Sequence, residues 1–221
     1  MGILYVVATP IGNLEDITLR AIRILLTVPL VICEDTRRSG QLLKILRDKY
    51  GKDELPGRDR TRLISMRDWN EGQSAEKIVQ DIMITDAALI SDAGTPLLSD
   101  PGFKLVRAAK EAGIQVVPVP GPFAAATAVS AAGLPTNKIF FYGFLPKKWE
   151  LLPETTNVIY ESPQRAKATV ALILERYQNA EVVVARELTK IHEKFEKGED
   201  FLKIEEKIKG EVTILAYLPV S

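Results

Sequence analysis

The chain has 221 residues, room for one large or two moderate domains, and its 29 Lys plus Arg balance 29 Asp plus Glu at a formal net charge of zero. That balance excludes a surface built wholesale to attract nucleic acid or an anionic membrane, although a local basic face is compatible with it. The single cysteine, Cys33, excludes an internal disulfide and reads as a buried, inert thiol behind Leu30-Val31-Ile32, in keeping with a reducing cytosol. The opening MGILYVVATPIGN has no basic leader and an apolar run only one strand long, so neither a signal peptide nor a membrane span is expected, and the protein is expected to be cytoplasmic.

Residues 3–8 form a continuous apolar run, the pattern of a strand buried on both faces. The turn-forming TPIGN follows, and Asp16 is placed to cap a helix carrying Ile17, Ala21, Ile22, Leu25 and Leu26. Residues 30–33 read as a second strand ending in Glu34-Asp35-Thr36-Arg37-Arg38, with a helix through Leu42, Leu43, Ile45 and Leu46 behind it. Residues 51–61 are polar and turn-rich, an exposed loop; residues 62–66 are a third strand, and Asp68, Trp69, Asn70 and Glu71 lead into a helix through Ile78, Val79 and Ile82.

The chain is organised around residues 87–102. The short apolar run Ala87-Ala88-Leu89-Ile90 predicts a buried strand, and SDAGTPLLSDPG predicts a long tight loop crowded with Gly, Ser, Thr and Pro. Asp100 as N-cap, Pro101 in the first turn and Gly113 beyond the last predict the helix that follows. Ordinary connections of this kind are shorter, and ligands of open α/β sheets sit at the carboxyl ends of strands, so this loop is the predicted ligand site.

Residues 114–119 are a strand, Pro120-Gly121-Pro122 a stiff hinge, and an Ala-rich helix follows until Gly133. Strands are predicted at 139–142, 157–160, 181–186 and 212–217. Glu161-Ser162-Pro163 opens a helix running to about Tyr177, and a short helix is predicted over 201–208. The alternation argues a parallel, doubly wound sheet and then a second α/β lobe, with domains at 1–119 and 120–221 and a cleft between them.

No G-x-G-x-x-G follows the first strand, and neither G-x-x-x-x-G-K-[ST] nor G-x-S-x-G occurs. One histidine and one cysteine are too few for a usual zinc site, so no metal is expected, and His192 reads as a solvated side chain in a charged stretch.

Four segments carry a resemblance: residues 4–21 (LYVVATPIGNLEDITLRA), 34–40 (EDTRRSG), 91–102 (SDAGTPLLSDPG) and 116–135 (VVPVPGPFAAATAVSAAGLP), joined by GFLPKK, YESPQR and ARELTKIHE. Together they resemble the bacterial small-subunit ribosomal RNA 2′-O-ribose cytidine methyltransferases of the tetrapyrrole-methylase superfamily. The resemblance implies two α/β domains with S-adenosylmethionine in the cleft between them. It further implies a homodimer, and as substrate a cytidine ribose of the decoding region in the RNA or the 30S particle. Carried over position by position, it implies donor contacts at Pro10, Ala93, Gly94, Thr95, Leu98, Phe123, Ala124, Ala125, Tyr160, Glu161 and Leu188. Relatives are expected to run longer after the last strand and after GFLPKK, regions suited to touching RNA.

Arg37, Arg38, Lys147, Lys148, Arg165 and Lys190 are candidates for holding RNA phosphates. A ribose hydroxyl is a weak nucleophile, and a positioned base would raise its rate. Asp35, Glu187 and Lys190, the last if its pKa were lowered, are the candidates beside Glu34, and Arg186 could hold a ribose or phosphate with its planar fork. Holding methyl carbon and oxygen in line, without a dedicated base, is the competing account. Methylation of a tetrapyrrole precursor and catalysis-free cofactor binding at the ribosome are the alternative functions.

Overall fold

The computed structural model describes residues 1–51, 61–67 and 71–219. The predicted loop over 51–61, apart from its two ends, and the predicted helix lead at Asp68, Trp69 and Asn70 lie outside the described residues. Packing divides the chain into Met1–Pro122 and Phe123–Ser221. The division falls three residues beyond Val119 because Pro122 is held by the first unit: its carbonyl accepts from Thr95 Oγ1 at 2.9 Å.

The first unit runs β1 (Ile3–Val7), α1 (Leu19–Leu25), β2 (Leu30–Cys33), α2 (Thr36–Tyr50), β3 (Arg62–Ser65), α3 (Glu71–Ile84), β4 (Ala87–Leu89), α4 (Phe103–Glu111) and β5 (Gln115–Val119), with one 3-10 turn at Leu14–Asp16. All five strands are parallel, in the order β3-β2-β4-β1-β5. Alternate residues of each strand enter different cores. Val31, Cys33, Ala88 and Ile90 pack with α1 and α2, whereas Leu30, Ile32, Ala87 and Leu89 pack with α3 and α4. Helices therefore cover both faces, which is why the strands read as unbroken apolar runs. Cys33 is buried, its thiol pKa pushed up by that burial.

Two helix starts differ from the sequence reading. Asn13 caps the 3-10 turn and Thr18 caps α1, its hydroxyl accepting from Ala21 N at 3.1 Å, so Asp16 ends the turn and caps nothing. Gly102, at φ 137°, takes the cap position of α4 in place of Asp100, because the loop leaves the sheet through a conformation open chiefly to glycine.

The second unit runs α5 (Ala124–Ala131), β6 (Ile139–Phe144), β7 (Thr156–Glu161), α6 (Pro163–Arg176), β8 (Glu181–Arg186), β9 (Lys194–Lys197), α7 (Gly198–Leu202) and β10 (Val212–Tyr217). Its sheet is mixed, in the order β6-β7-β10-β8-β9, and only β6 and β7 are parallel. Ile159, Val182, Val184 and Ile214 meet α6 and Phe201 of α7 on one face, and α5 lies along β7 and β10. The helix predicted over 201–208 is instead α7, ending at Leu202. Among the described residues no helix is long and apolar enough to cross a membrane.

Candidate functional site

Strands β4 and β1 are neighbours, yet their connections diverge: β1 leads to α1 on one face of the sheet and β4 to α4 on the other. Divergence of this kind opens a crevice at the carboxyl ends of the strands, where open α/β sheets take ligands. Residues 91–102 fill that position, and their first turn is locked to β1. Thr9 N donates to Gly94 O at 2.9 Å and Gly94 N donates back to Thr9 O at 3.1 Å. Thr9 Oγ1 donates to Ser91 O at 3.2 Å, and Ser91 Oγ to Gly94 O at 3.0 Å, both hydroxyls being buried. Gly94 has φ 86°, and a Cβ there would lie 3.1 Å from Ile11 Cγ2 and 3.5 Å from Pro122 O. With Thr95 held to Pro122, the loops after β1, β4 and β5 form one interlocked piece. Pro10 is half-buried within it, while Ala93 and Leu98 are exposed. No described hydrogen bond engages the backbone amides of Ala93, Thr95 or Leu98.

The EDTR segment sits beside this loop. Asp35 caps α2 by accepting from Arg37 N at 2.8 Å, and its carboxylate pairs with the Arg37 guanidinium at 3.0 Å. These bonds hold the Asp35 carboxyl down at about 2. Asp92 accepts from Asp35 N at 3.3 Å and from Arg38 Nη1 at 3.2 Å, tying the central loop to α2. Arg37 and Arg38 remain largely exposed despite their pairs.

In the second unit, the Phe123 and Phe141 rings meet edge to face at 5.2 Å, and Phe141 and Tyr160 at 4.9 Å. The Tyr160 hydroxyl accepts from Ala125 N at 3.2 Å, supplying the cap that Phe123 cannot give α5. Ala124 is half-buried and Ala125 buried in that first turn. Glu161 is buried and saturated: its carboxylate accepts from Ser162 N, Arg165 and Thr169 at 2.7 to 2.9 Å. Lys147 and Lys148 are exposed and make no hydrogen bond or ion pair among the described residues.

The segment after β8 is tightly wound. Glu187 and Thr189 have φ 50° and 63°, with Leu188 buried between them. Non-glycine residues held in this region cost about 1–3 kcal/mol each and cluster at functional sites. Glu187 Oε1 accepts from Glu211 N at 2.8 Å and from Lys190 Nζ at 2.9 Å, and Lys190 also reaches Glu211. A Cβ on Gly210, whose φ is 80°, would fall 1.9 Å from that same oxygen, so a side chain there would have to displace the Glu187 carboxylate from its bonds. Burial pushes the Glu187 carboxyl up, but the Lys190 and Glu211 bonds outweigh it and the net displacement is downward. For Lys190 burial pushes down, and its two carboxylate partners outweigh that and raise it. Lys190 is thus held protonated, contrary to the expectation of a lowered pKa. The Arg186 fork lies on Glu196, at 2.8 and 3.1 Å, and is not open to a ribose or phosphate as it stands. His192 is exposed.

Residues 3–199 match the family described as Tetrapyrrole (Corrin/Porphyrin) Methylases. The chain belongs to this family. As a tetrapyrrole methylase it is 44% identical over 96% of its length to the ribosomal RNA small subunit methyltransferase I of Hydrogenobaculum sp., covering 94% of that protein. It is 40% identical to the protein of the same name from Thermotoga maritima, covering 98% of it, and 44% identical to that of Escherichia coli O157:H7, covering 67% of it. Relatives of this name therefore come both longer than this chain and close to its length. Among solved structures, a Thermus thermophilus uroporphyrin-III-C-methyltransferase superposes with TM-score 0.70 at 19% identity, over 98% of this chain and 94% of that one. A diphthine synthase superposes with TM-score 0.71 at 12% identity, over 98% and 90%. These structural likenesses establish the shared fold.

Sequence reasoning missed Thr9 and Ser91, whose hydroxyls fix the loop, and Glu196, Gly210 and Glu211, which hold Arg186, Glu187 and Lys190. Thr9, Glu211 and Glu196 bond to partners 82, 24 and 10 residues away, which no local spacing announces; Ser91 bonds Gly94 only three residues on, but in a loop whose shape the composition does not reveal.

Proposed function

We propose that this protein transfers a methyl group from S-adenosylmethionine to the ribose 2′-hydroxyl of a cytidine in the decoding region of small-subunit ribosomal RNA. The observation that carries the reading is the 44% identity, over 96% of the chain, to a ribosomal RNA small subunit methyltransferase I. In bacteria such an enzyme acts in the cytoplasm on the RNA or the 30S particle, and the reading includes a homodimer.

The first unit's loop fits the donor's chemistry. Adenine, ribose and an amino-acid end ask for backbone donors at close range, and among the described residues the amides of Ala93, Thr95 and Leu98 have no hydrogen-bond partner. Pro10 and Gly94 set the shape of that surface. Phe123, Ala124, Ala125, Tyr160, Glu161 and Leu188 are assigned to the donor from the second unit. Glu161 and Tyr160 serve there by fixing the starts of α6 and α5, since their polar atoms already have partners. When bound, the donor supplies a methyl carbon made electrophilic by a positively charged sulfur.

Asp35, Glu187 and Lys190 are each displaced away from the range of a base working near neutral pH. Asp35 sits at about 2, Glu187 is lowered and Lys190 raised, whereas an effective base has a pKa near the working pH. We therefore assign Asp35, Arg186, Glu187 and Lys190 to positioning: Asp35 aims Arg37, and the Glu187–Lys190–Glu211 cluster braces the turn that presents Leu188. The rate then comes from alignment of the 2′-oxygen, an effect that can be worth about 7–11 kcal/mol.

Incubation with methyl-labelled donor and either unmethylated small subunits or a tetrapyrrole precursor tests the reading. Label is expected in the RNA, in a dinucleotide that resists alkali because its 2′-oxygen is blocked. Label in the tetrapyrrole, or in neither, would refute it.

A further inference from the structure

Strand β6 carries a bulge. Phe141 pairs with Val158 and Gly143 with Ile159, leaving Tyr142 as the extra residue. Gly143 supports the kink with φ 63°. Because of that extra residue, Phe141 and Phe144 emerge on one face although they are three apart, and both rings meet Tyr160, at 4.9 and 6.2 Å. Without it, Phe144 would turn to the opposite face with Tyr142. Bulges of this kind occur at sheet edges and beside active sites, where they re-aim a side chain.

The re-aimed ring is 56% exposed, although it is braced edge to face from below. The chain then enters a loop anchored at both ends: Leu145 and Trp149 pack on the core, Arg176 stacks over Trp149, and Tyr142 donates its hydroxyl to Glu150 O. Lys147 and Lys148 stand exposed between those anchors without a partner among the described residues. A single exposed phenylalanine is unremarkable. A held aromatic face, followed three and four residues on by two exposed cations of an anchored loop without partners among the described residues, matches the chemistry of an unstacked nucleotide, a π-face and a phosphate.

We propose that Phe144 is a stacking platform for an unpaired base of the RNA substrate, with Lys147 and Lys148 receiving adjoining phosphates. This rests on the RNA reading above and adds a base-stacking contact that the family resemblance did not assign. The competing occupant is a second copy of the chain, since Ile139 and Phe140 are also exposed on this edge strand, at 50% and 42%. The unpaired lysines favour a polyanion, and the bulge interrupts the regular edge that strand-to-strand addition needs.

The test measures binding of unmethylated small subunits, donor binding and molecular mass for Phe144→Ala, Phe144→Leu and Phe144→Tyr. Loss of one stacked base lowers RNA affinity about 5- to 150-fold, so Ala and Leu should both fall in that range while Tyr stays near wild type. Donor affinity, mass and the salt slope should be unchanged in all three. Lys147→Gln and Lys148→Gln should each reduce the salt slope by about 0.7. Wild-type RNA affinity in Phe144→Ala, or Leu behaving like Phe, overturns the stacking role. A drop in mass accompanying the loss of affinity assigns the face to a second copy and overturns it too. If the wild type neither binds nor methylates small subunits, the RNA reading beneath it has failed, an outcome distinct from failure of Phe144 alone.

Discussion

Replacing Gly94 by alanine isolates what the shape of the central loop contributes. Its backbone has φ 86°, where an added Cβ costs about 1–2 kcal/mol. The new methyl group would also stand 3.1 Å from Ile11 Cγ2, so Ile11 must give way by a few tenths of an ångström. For a unit the size of Met1–Pro122, a loss of 1 kcal/mol moves the melting temperature by about 4 °C, so a fall of about 4–8 °C is expected. If the donor binds only the native loop, and the methyl group does not touch it, donor affinity falls by no more than the same free energy, about 5- to 30-fold. Scanning calorimetry and titration of the donor read the two effects. A double-mutant cycle with Ile11→Ala separates the contact from the backbone strain. A leucine at this position is less informative, because it would strike Ile11 and lose binding whether or not the donor approaches. Melting within about 1 °C of wild type, with unchanged donor affinity, would refute the reasoning. Complete loss of binding in a folded Gly94→Ala protein would instead place the donor against the glycine itself.

The Asp35 carboxyl, held at about 2, is below its ordinary value near 4, so its pairing stabilises the fold above that ordinary value and is lost as pH falls through 2. The melting temperatures of wild type and Asp35→Asn should therefore differ by a constant amount above about pH 5 and converge toward pH 2; a gap still changing at neutral pH would contradict the assignment. Glu187 is lowered and Lys190 raised, so both stay charged from pH 6 to 9. Single-turnover methylation by Glu187→Gln and Lys190→Met should be slowed by the same factor at every pH in that range, and a displaced pH limb in either would restore a proton-transfer role. Arg38 is exposed beyond its pair with Asp92; Arg38→Gln should lower the salt slope of RNA binding by about 0.7, and an unchanged slope would remove Arg38 from the RNA face.

The buried parallel strands were legible because burial on both faces leaves continuous apolar runs: β2 agrees at both ends with the run 30–33. Strands β8 and β10 were legible for the same reason, lying inside their sheet between paired neighbours. Strand β9 was not legible, since Lys-Phe-Glu-Lys is a charged edge strand whose pattern resembles a solvated turn. Of the helix predicted over 201–208, Phe201, Leu202, Ile204 and Ile208 do enter the core, but only Phe201 and Leu202 do so from a helix. In the candidate site, the loop and its glycine were visible as composition. The interlock that shapes it was not, because a threonine hydroxyl reaching a carbonyl 82 residues away leaves no periodicity. The charge state of Lys190 was also beyond reach, since it depends on Glu211 arriving from the turn before β10.

The reciprocal bond between Thr9 and Gly94 also orders events in time. Its two residues are separated by 85 positions, and closing so long a segment costs entropy that only the intervening strands can offset. β4 lies between β2 and β1, so the turn can be locked onto Thr9 only once β4 is part of the chain and paired with β1. With the donor on this loop as proposed, its capture would report that the locked turn has formed. During synthesis, a chain that has exposed only β1 through β3 has no loop to present, and ligand added to a refolding mixture should engage only after that turn has formed and then hold it against reopening.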